Sequence, residues 1–174
     1  GIEGSINDFT DAPGETINYV TSHDNYTLWD KIAACNGSLD EAQRIRMDKL
    51  AQAIIFTAQG VAFMQGGEEF LRTKDGNDNS YNAGDGVNKF DWSRKAQYQH
   101  IFNYYAGLIQ LRKNHPVFRM TSADEIRENL TFLETPAHMI AFLLNGRGVD
   151  DTWGQILIIH NANTTDTTFR LPHG

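Results

Sequence analysis

Cysteine is almost absent: the chain has one, Cys35. A single cysteine excludes an internal disulfide and a cysteine-built zinc site. Cys35 itself reads as a small, half-buried residue near a helix end. Basic charge is also scarce. There are 15 Lys and Arg against 22 Asp and Glu, a formal net charge of −7, which disfavours nucleic acid and anionic membrane surfaces as partners. No apolar run is long enough to span a bilayer, and the first residues lack the pattern of a signal peptide. The chain opens Gly-Ile-Glu-Gly without an initiator Met, which reads as a piece of a longer polypeptide. No internal repeat or low-complexity segment stands out. What is present suffices for a real core: 174 residues, 40% hydrophobic and 11% aromatic, enough for one domain and part of another.

The pivotal stretch is Ile17-Asn18-Tyr19-Val20-Thr21-Ser22-His23-Asp24-Asn25. Its first half reads as a short buried strand, since Ile17, Tyr19 and Val20 are β-formers that follow the turn residue Gly14. The strand then ends, with no spacer, in an imidazole and a carboxylate. In barrels of alternating strands and helices, the carboxyl ends of strands carry the chemistry. A plainer reading stays open on residue types alone: a polar turn in which Asp24 or Asn25 caps the following helix.

Residues 1–15 read as a connecting loop. After the His-Asp-Asn turn, Leu28, Trp29, Ile32 and Ala33 form a helical stripe stopped by Asn36-Gly37. Ser38-Leu39-Asp40-Glu41 reads as a capping box. It opens a second helix with Ala42, Ile45, Leu50, Ala53, Ile54 and Thr57 on its apolar side, Arg44, Arg46, Asp48 and Lys49 on its wet face, and Gly60 at its end. Val61-Ala62-Phe63-Met64 is wholly apolar, as expected of a parallel strand covered on both faces. It too exits into polar residues, Gln65-Gly66-Gly67-Glu68-Glu69-Phe70. A loop over 71–93 comes next, of the length that is usually functional or disordered. Its aromatics Tyr81, Phe90 and Trp92 argue against disorder. A helix is predicted over 94–114, ended by His115-Pro116. Beyond a boundary near 119–122 the texture becomes antiparallel β, with strands expected over 125–130, 139–144, 155–160 and 168–171, and turns at Asn145-Gly146 and 161–164.

The ordered motifs carry a family resemblance. The pattern Ile-Asn-Tyr-Val-x-Ser-His-Asp-Asn-x-Thr-Leu-x-Asp-Lys over 17–31 resembles the fourth conserved region of the α-amylase family of glycoside hydrolases (glycoside hydrolase family 13), in the form typical of type I pullulanases. Gly67-Glu68-Glu69-Phe70-Leu71-Arg72-Thr73-Lys74 is similar to the segment after their last barrel strand. Asn79-Ser80-Tyr81-Asn82, Asn88, Asp91-Trp92-Ser93 and Leu111-Arg112-Lys113-x-His115-Pro116 are likewise similar.

The resemblance, which covers roughly 4–118, implies an α/β fold class: the last two strand–helix units of a (β/α)8 TIM barrel over 1–120, then a small antiparallel β-sandwich-type domain over 121–174. It implies a retaining hydrolase of α-1,6-glucosidic branch points in pullulan, glycogen or starch-derived dextrins. Such enzymes use two carboxyl groups about 5–5.5 Å apart. By the same resemblance the nucleophile and acid/base lie on earlier strands, so the isolated chain is expected to be inactive. Asp24 corresponds to the transition-state-stabilising Asp, with His23 and Asn25 beside it on the sugar. Arg72, Asn79 and Tyr81 either line the substrate cleft or only brace the long loop. Glu68 and Glu69 point apart as neighbours and read as loop-fixing groups, with a salt bridge to Arg72 expected. Trp29, Trp92 and Tyr105 read as core aromatics. Asp75, Asp78 and Asp85 lack EF-hand spacing, so no metal site is expected, and no cofactor is implied. The expected partner is an α-glucan, together with self-association of the chain through strand edges left uncovered at β-strands 17–20 and 61–64. Family members occur inside and outside bacterial cells, so the resemblance assigns no compartment.

Three rival readings stay open on the sequence. The first is an enzyme of the same family with isoamylase-like or oligo-1,6-glucosidase-like specificity. The second is a carbohydrate-binding or structural module without chemistry. The third is a self-contained α/β enzyme that pairs Asp24 with Glu68.

Overall fold

The computed structural model describes residues 1–171. Strand β1 (Ile17–Asn18) is followed by helices α1 (Leu28–Cys35) and α2 (Glu41–Thr57) and then strand β2 (Val61–Ala62). β1 and β2 pair in parallel, Ile17 opposite Val61 and Asn18 opposite Ala62, so the two helices form the crossover that a parallel pair requires. The long connection after β2 holds a short helix, α3 (Asp85–Asn88), where the sequence predicted only loop. Helices α4 (Ser93–Gln97), α5 (Gln99–Asn114) and α6 (Ala123–Asn129) follow, then strands β3 (Leu130–Leu133), β4 (Met139–Leu144) and β5 (Ile156–Asn161), an antiparallel meander in the order β3-β4-β5. Among the described residues no helix is long and apolar enough to cross a membrane.

Helix starts follow side-chain chemistry. Thr27 caps α1 by accepting from the Asp30 amide. The capping box of α2 is built by Asp40 and Gln43 rather than from Ser38, so the helix begins later than expected. The segment 125–130, expected as a strand, is mostly helix: Ser122 accepts from the Glu125 amide while the Glu125 carboxylate reaches back to the Ser122 amide. That reciprocal pair satisfies first-turn amides a strand would have to pair elsewhere. The predicted helix over 94–114 is broken at Tyr98, whose φ of −109° and ψ of 34° leave the helical region. Tyr98 is anchored in the core, which fixes the break. Residues 168–171, expected as a strand, take no strand conformation.

At its far end α2 stops at Thr57, three residues before Gly60. Gly60 has φ +92°, and a Cβ there would lie 2.9 Å from the carbonyl oxygens of Pro13 and Thr16, so only glycine fits the turn into β2. The free carbonyls at this end are met by buried Arg112 of α5, which donates to Phe56 O (3.1 Å), Ala58 O (2.6 Å) and Gly60 O (2.5 Å). Burial, with Arg119 nearby, pushes the Arg112 guanidinium down to about 10.

Two apolar clusters hold the chain. Trp29, Leu71, Tyr98, Ile101 and Tyr105 join α1, α5 and the exit from β2. Ile6, Val117, Phe118, Met120, Ile126, Leu130, Phe142, Leu144 and Ile156 form the second, which runs straight across residues 119–122. Fully buried Gln59 stitches the same junction: its Nε2 donates to Val117 O at 2.8 Å and its Oε1 accepts from the Met120 amide at 3.1 Å. Cys35, expected half-buried, is exposed on the last turn of α1.

Candidate active site

Both strands of the parallel pair exit to one end of the molecule, and there the chain bends sharply twice. After β1, Asn25 takes a left-handed φ of 65°. After β2, Gly67 has φ +99°, and a Cβ there would strike the Arg72 side chain at 2.7 Å. The first bend lifts His23 and Asp24 into solvent. Their side chains are 87% and 81% exposed, with His23 Nδ1 3.2 Å from Asp24 Oδ1. Neither Asp24 nor Asn25 caps α1, because Thr27 does; the Asn25 side chain instead accepts from the Tyr26 amide at 2.8 Å. The capping alternative is thereby removed, and the imidazole and Asp24 carboxylate stand free to meet a ligand.

Behind this turn the two exits are tied together. Buried Asp30 of α1 accepts from Thr73 Oγ1 (2.5 Å) and from the Lys74 amide (2.7 Å), and Lys74 Nζ donates to the His23 carbonyl (2.8 Å). Deeper in, Glu68 accepts from Thr21 Oγ1 on the β1 exit and from Gln52 Nε2 of α2 (2.8 Å). Asp48, one turn before Gln52, accepts from the Tyr105 hydroxyl at 2.6 Å. Burial pushes the carboxyls of Glu68 and Asp48 up to about 7 each; hydrogen bonds from Thr21 and Tyr105 respectively oppose this, and the Asp48 charge raises Glu68 further. Asp48 Oδ2 and Gln52 Oε1 are buried with no donor, which adds to the cost of ionising this layer.

Glu68 and Asp24 therefore do not face one another as an acid/base pair: one carboxyl is only 3% exposed beneath the turn and the other points outward. The self-contained enzyme built on those two residues is ruled out by their placement. The expected salt bridge to Arg72 is also absent. Glu69 accepts from the Gly67 amide (2.9 Å), while Arg72 donates to Asn88 O (2.6 Å) and lays its guanidinium 4.1 Å from the Phe90 ring centroid. These contacts brace the loop, while Arg72 Nε is buried without a partner. Asn79 and Tyr81 are exposed, Tyr81 at 82%. Trp92, expected in the core, is 66% exposed and stacks on Phe90 with centroids 5.5 Å apart, whereas Trp29 and Tyr105 are buried as expected.

Sequence reasoning missed the supporting residues Thr21, Asp30, Gln52 and Lys74, and Asp48, expected on the wet face of α2, is instead buried at 1% exposure against the Tyr105 hydroxyl. Gln52 carries a signal, since it is a polar residue between the apolar positions Leu50, Ala53 and Ile54 of α2, whereas the partners of Thr21, Asp30 and Lys74 lie far along the chain. Among the described residues no cluster of three or more His, Cys, Asp or Glu side chains is arranged to hold a metal ion.

The chain is similar to known proteins along nearly its whole length. Residues 126–174 match the family model described as pullulanase, all-beta domain. The pullulanase of Bacillus subtilis (strain 168) is 41% identical over 161 residues, covering 92% of this chain. Among solved structures, a pullulanase from Bacillus acidopullulyticus superposes with a TM-score of 0.97 at 63% identity over 100% of this chain. A pullulanase from Paenibacillus barengoltzii, in complex with maltohexaose and α-cyclodextrin, gives 0.96 at 41% identity over 99%. The chain spans 22% of the length of each of the two Bacillus relatives and 28% of the third. Along nearly its whole length, then, it is similar to one segment of the pullulanase polypeptide.

Proposed function

We propose that this chain is the part of a pullulanase-type glycoside hydrolase that carries the last two strand–helix units of a (β/α)8 barrel, over 1–120, and β structure of the C-terminal domain, over 121–174. The observation that carries this reading is the outward-facing His23–Asp24 pair at the carboxyl end of a parallel strand pair, where barrel enzymes place their chemistry. The pullulanase similarity supports the linkage: α-1,6-glucosidic bonds of branched glucans, cleaved with retention.

In this reading Asp24 accepts hydrogen bonds from sugar hydroxyls beside the reacting carbon. Those bonds strengthen as the ring becomes oxocarbenium-like, so they lower the barrier rather than merely tightening binding. His23 in its neutral form donates from one ring nitrogen and accepts at the other, matching two hydroxyls. Asn25, Asn79 and Tyr81 are further contacts to the glucan, through amide groups and the exposed ring. The nucleophile and acid/base belong to parts of the parent enzyme outside this chain, so the chain alone releases no sugar.

The test is reducing-sugar release from pullulan, with linear amylose as control. The polypeptide containing this segment is expected to cleave pullulan and to lose about 10²–10³-fold in kcat on Asp24→Asn, the range seen when one transition-state hydrogen-bond donor or acceptor is removed. Turnover by the isolated chain, or full activity in the Asp24 variant, would overturn the assignment. A non-catalytic binding module instead predicts oligosaccharide affinity that survives the substitution.

The same reading explains why Ile17, Tyr19, Val61 and Phe63 are all between 44% and 59% exposed on the parallel pair. Neighbouring strands of the parent barrel cover them. In the isolated chain a second copy takes that place, and a clean monomer at high concentration by sedimentation would contradict it.

A further inference from the structure

The turn that carries His23 and Asp24 has little to hold it. Its side chains reach into solvent, and Asn25 sits in a left-handed conformation that an Asn tolerates but does not enforce. Among the described residues, the one hydrogen bond linking the backbone of residues 22–25 to another segment runs from Lys74 Nζ to His23 O, at 2.8 Å.

Lys74 is itself an unusual residue to find there. It is only 5% exposed, and burying an ammonium is costly unless it is well paired. Asp30, the obvious partner, has both oxygens engaged elsewhere, by Thr73 Oγ1 and by the Lys74 amide. Asp30 thus fixes where the Lys74 backbone sits, and the lysine spends its ammonium on a carbonyl of the catalytic turn. The guanidinium of Arg72 is close enough to repel it, and the carboxylates of Asp24 and Asp30 are close enough to attract it.

We propose that Lys74 is a positioning residue for the candidate active site: anchored by Asp30, it sets the height and direction of the His23–Asp24 turn through the His23 carbonyl. The proposal rests on the reading of Asp24 as the transition-state-stabilising group. It adds a role for a residue of the second strand exit that touches no sugar. Its effect is on geometry, to which a reacting site is sensitive at the ångström scale.

The experiment uses the polypeptide that contains this segment, with Lys74→Met, Lys74→Arg and Asp30→Asn. Met keeps the stem and its packing while removing the ammonium. Two readouts are taken. One is kcat and KM on pullulan. The other is hydrogen exchange of the backbone amides of residues 22–25, with α5 as internal control. Lys74→Met is expected to lower kcat by about 10–100-fold with little change in KM. Exchange at 22–25 should rise while that of α5 stays unchanged. Lys74→Arg, which keeps charge and donor, should recover part of the kcat, and Asp30→Asn should show a milder form of both effects. If Lys74→Met does not fold, Asp30→Asn is read by the same two measurements. Unchanged exchange at 22–25, or faster exchange with kcat intact, overturns the proposal. Failure of the wider reading looks different: Asp24→Asn would keep its activity, while the exchange measurement would still decide whether Lys74 holds the turn.

Discussion

In the antiparallel sheet Phe142 and Leu144 of β4 are 0% exposed, while in the parallel pair Ile17 and Val61 stand 59% and 45% open to water. The antiparallel sheet buries its central side chains within the chain, although Phe132, Ile140 and Ile159 on it stay 42–45% exposed. Strand β4 turns Phe142 and Leu144 onto α6, Val117 and Phe118, while Met139 and Ala141 are buried on its other face. The parallel pair is covered on one side only, and its strands are two residues long. Beneath its exits lies a polar layer: Glu68, Gln52 and Asp48, bound to Thr21 and Tyr105. One region is built to fold against itself. The other is built to hold two loop exits at fixed positions, with apolar flanks that suit further strands. Stability and site geometry are thus lodged in different halves of the same chain.

The sharpest way to break this contrast is to open the antiparallel core. Phe142 is fully buried, with Phe132 at 5.8 Å and His160 at 6.1 Å between ring centroids. Phe142→Ala is expected to destabilise the chain by about 3–5 kcal/mol, the cost of lost transfer energy plus a cavity. Denaturant unfolding measures it directly. Because the same cluster includes Ile6, Val117 and Phe118 on the other side of residues 119–122, the loss should appear in one cooperative transition. Two separate transitions, with only one shifted, would show instead that the halves fold independently.

Much of this is legible in the sequence, and the exceptions have physical causes. The parallel pair, the crossover helices and the strand at Met139–Leu144 follow from apolar period and turn chemistry. The segment 125–130 misleads because Ile126 and Leu130 alone cannot distinguish a strand from a short helix; the deciding signal is Ser122 with Glu125, a capping box of the kind recognised before α2. Trp92 misleads because an aromatic in a long loop carries no period from which to infer its burial. His23 and Asp24 are legible as a pair, since two polar residues directly after an apolar strand have few other uses. Asp30 and Lys74 are not. Their roles depend on two loops meeting across 43 to 51 positions of chain, a proximity that no local pattern encodes. The same holds for Thr21 with Glu68.

A smaller effect probes the polar side of the contrast. Glu68 and Asp48 have ordinary values of 4.5 and 3.8, and both are raised to about 7 by burial. Between those limits the folded chain keeps protons that the unfolded chain has released. This contribution to stability is therefore full below about pH 4, declines as pH rises toward 7, and is gone above it. The largest change attributable to Glu68 is about 3 kcal/mol. Buried His160 works in the opposite sense: burial lowers its affinity for a proton, so its contribution is full above 6.5 and is lost as pH falls below it. The wild-type curve alone therefore mixes the two. Comparing wild type with Glu68→Gln at each pH removes the His160 contribution, which is common to both, and reads Glu68 together with its coupling to Asp48. The stability of wild type relative to the variant is expected to fall from pH 4.5 to about pH 7 and to level off above it. A difference that stays constant over that range would mean that Glu68 ionises as readily in the folded chain as in water. The layer beneath the strand exits would then be wet, and the contrast between a dry polar support and an apolar core would not hold.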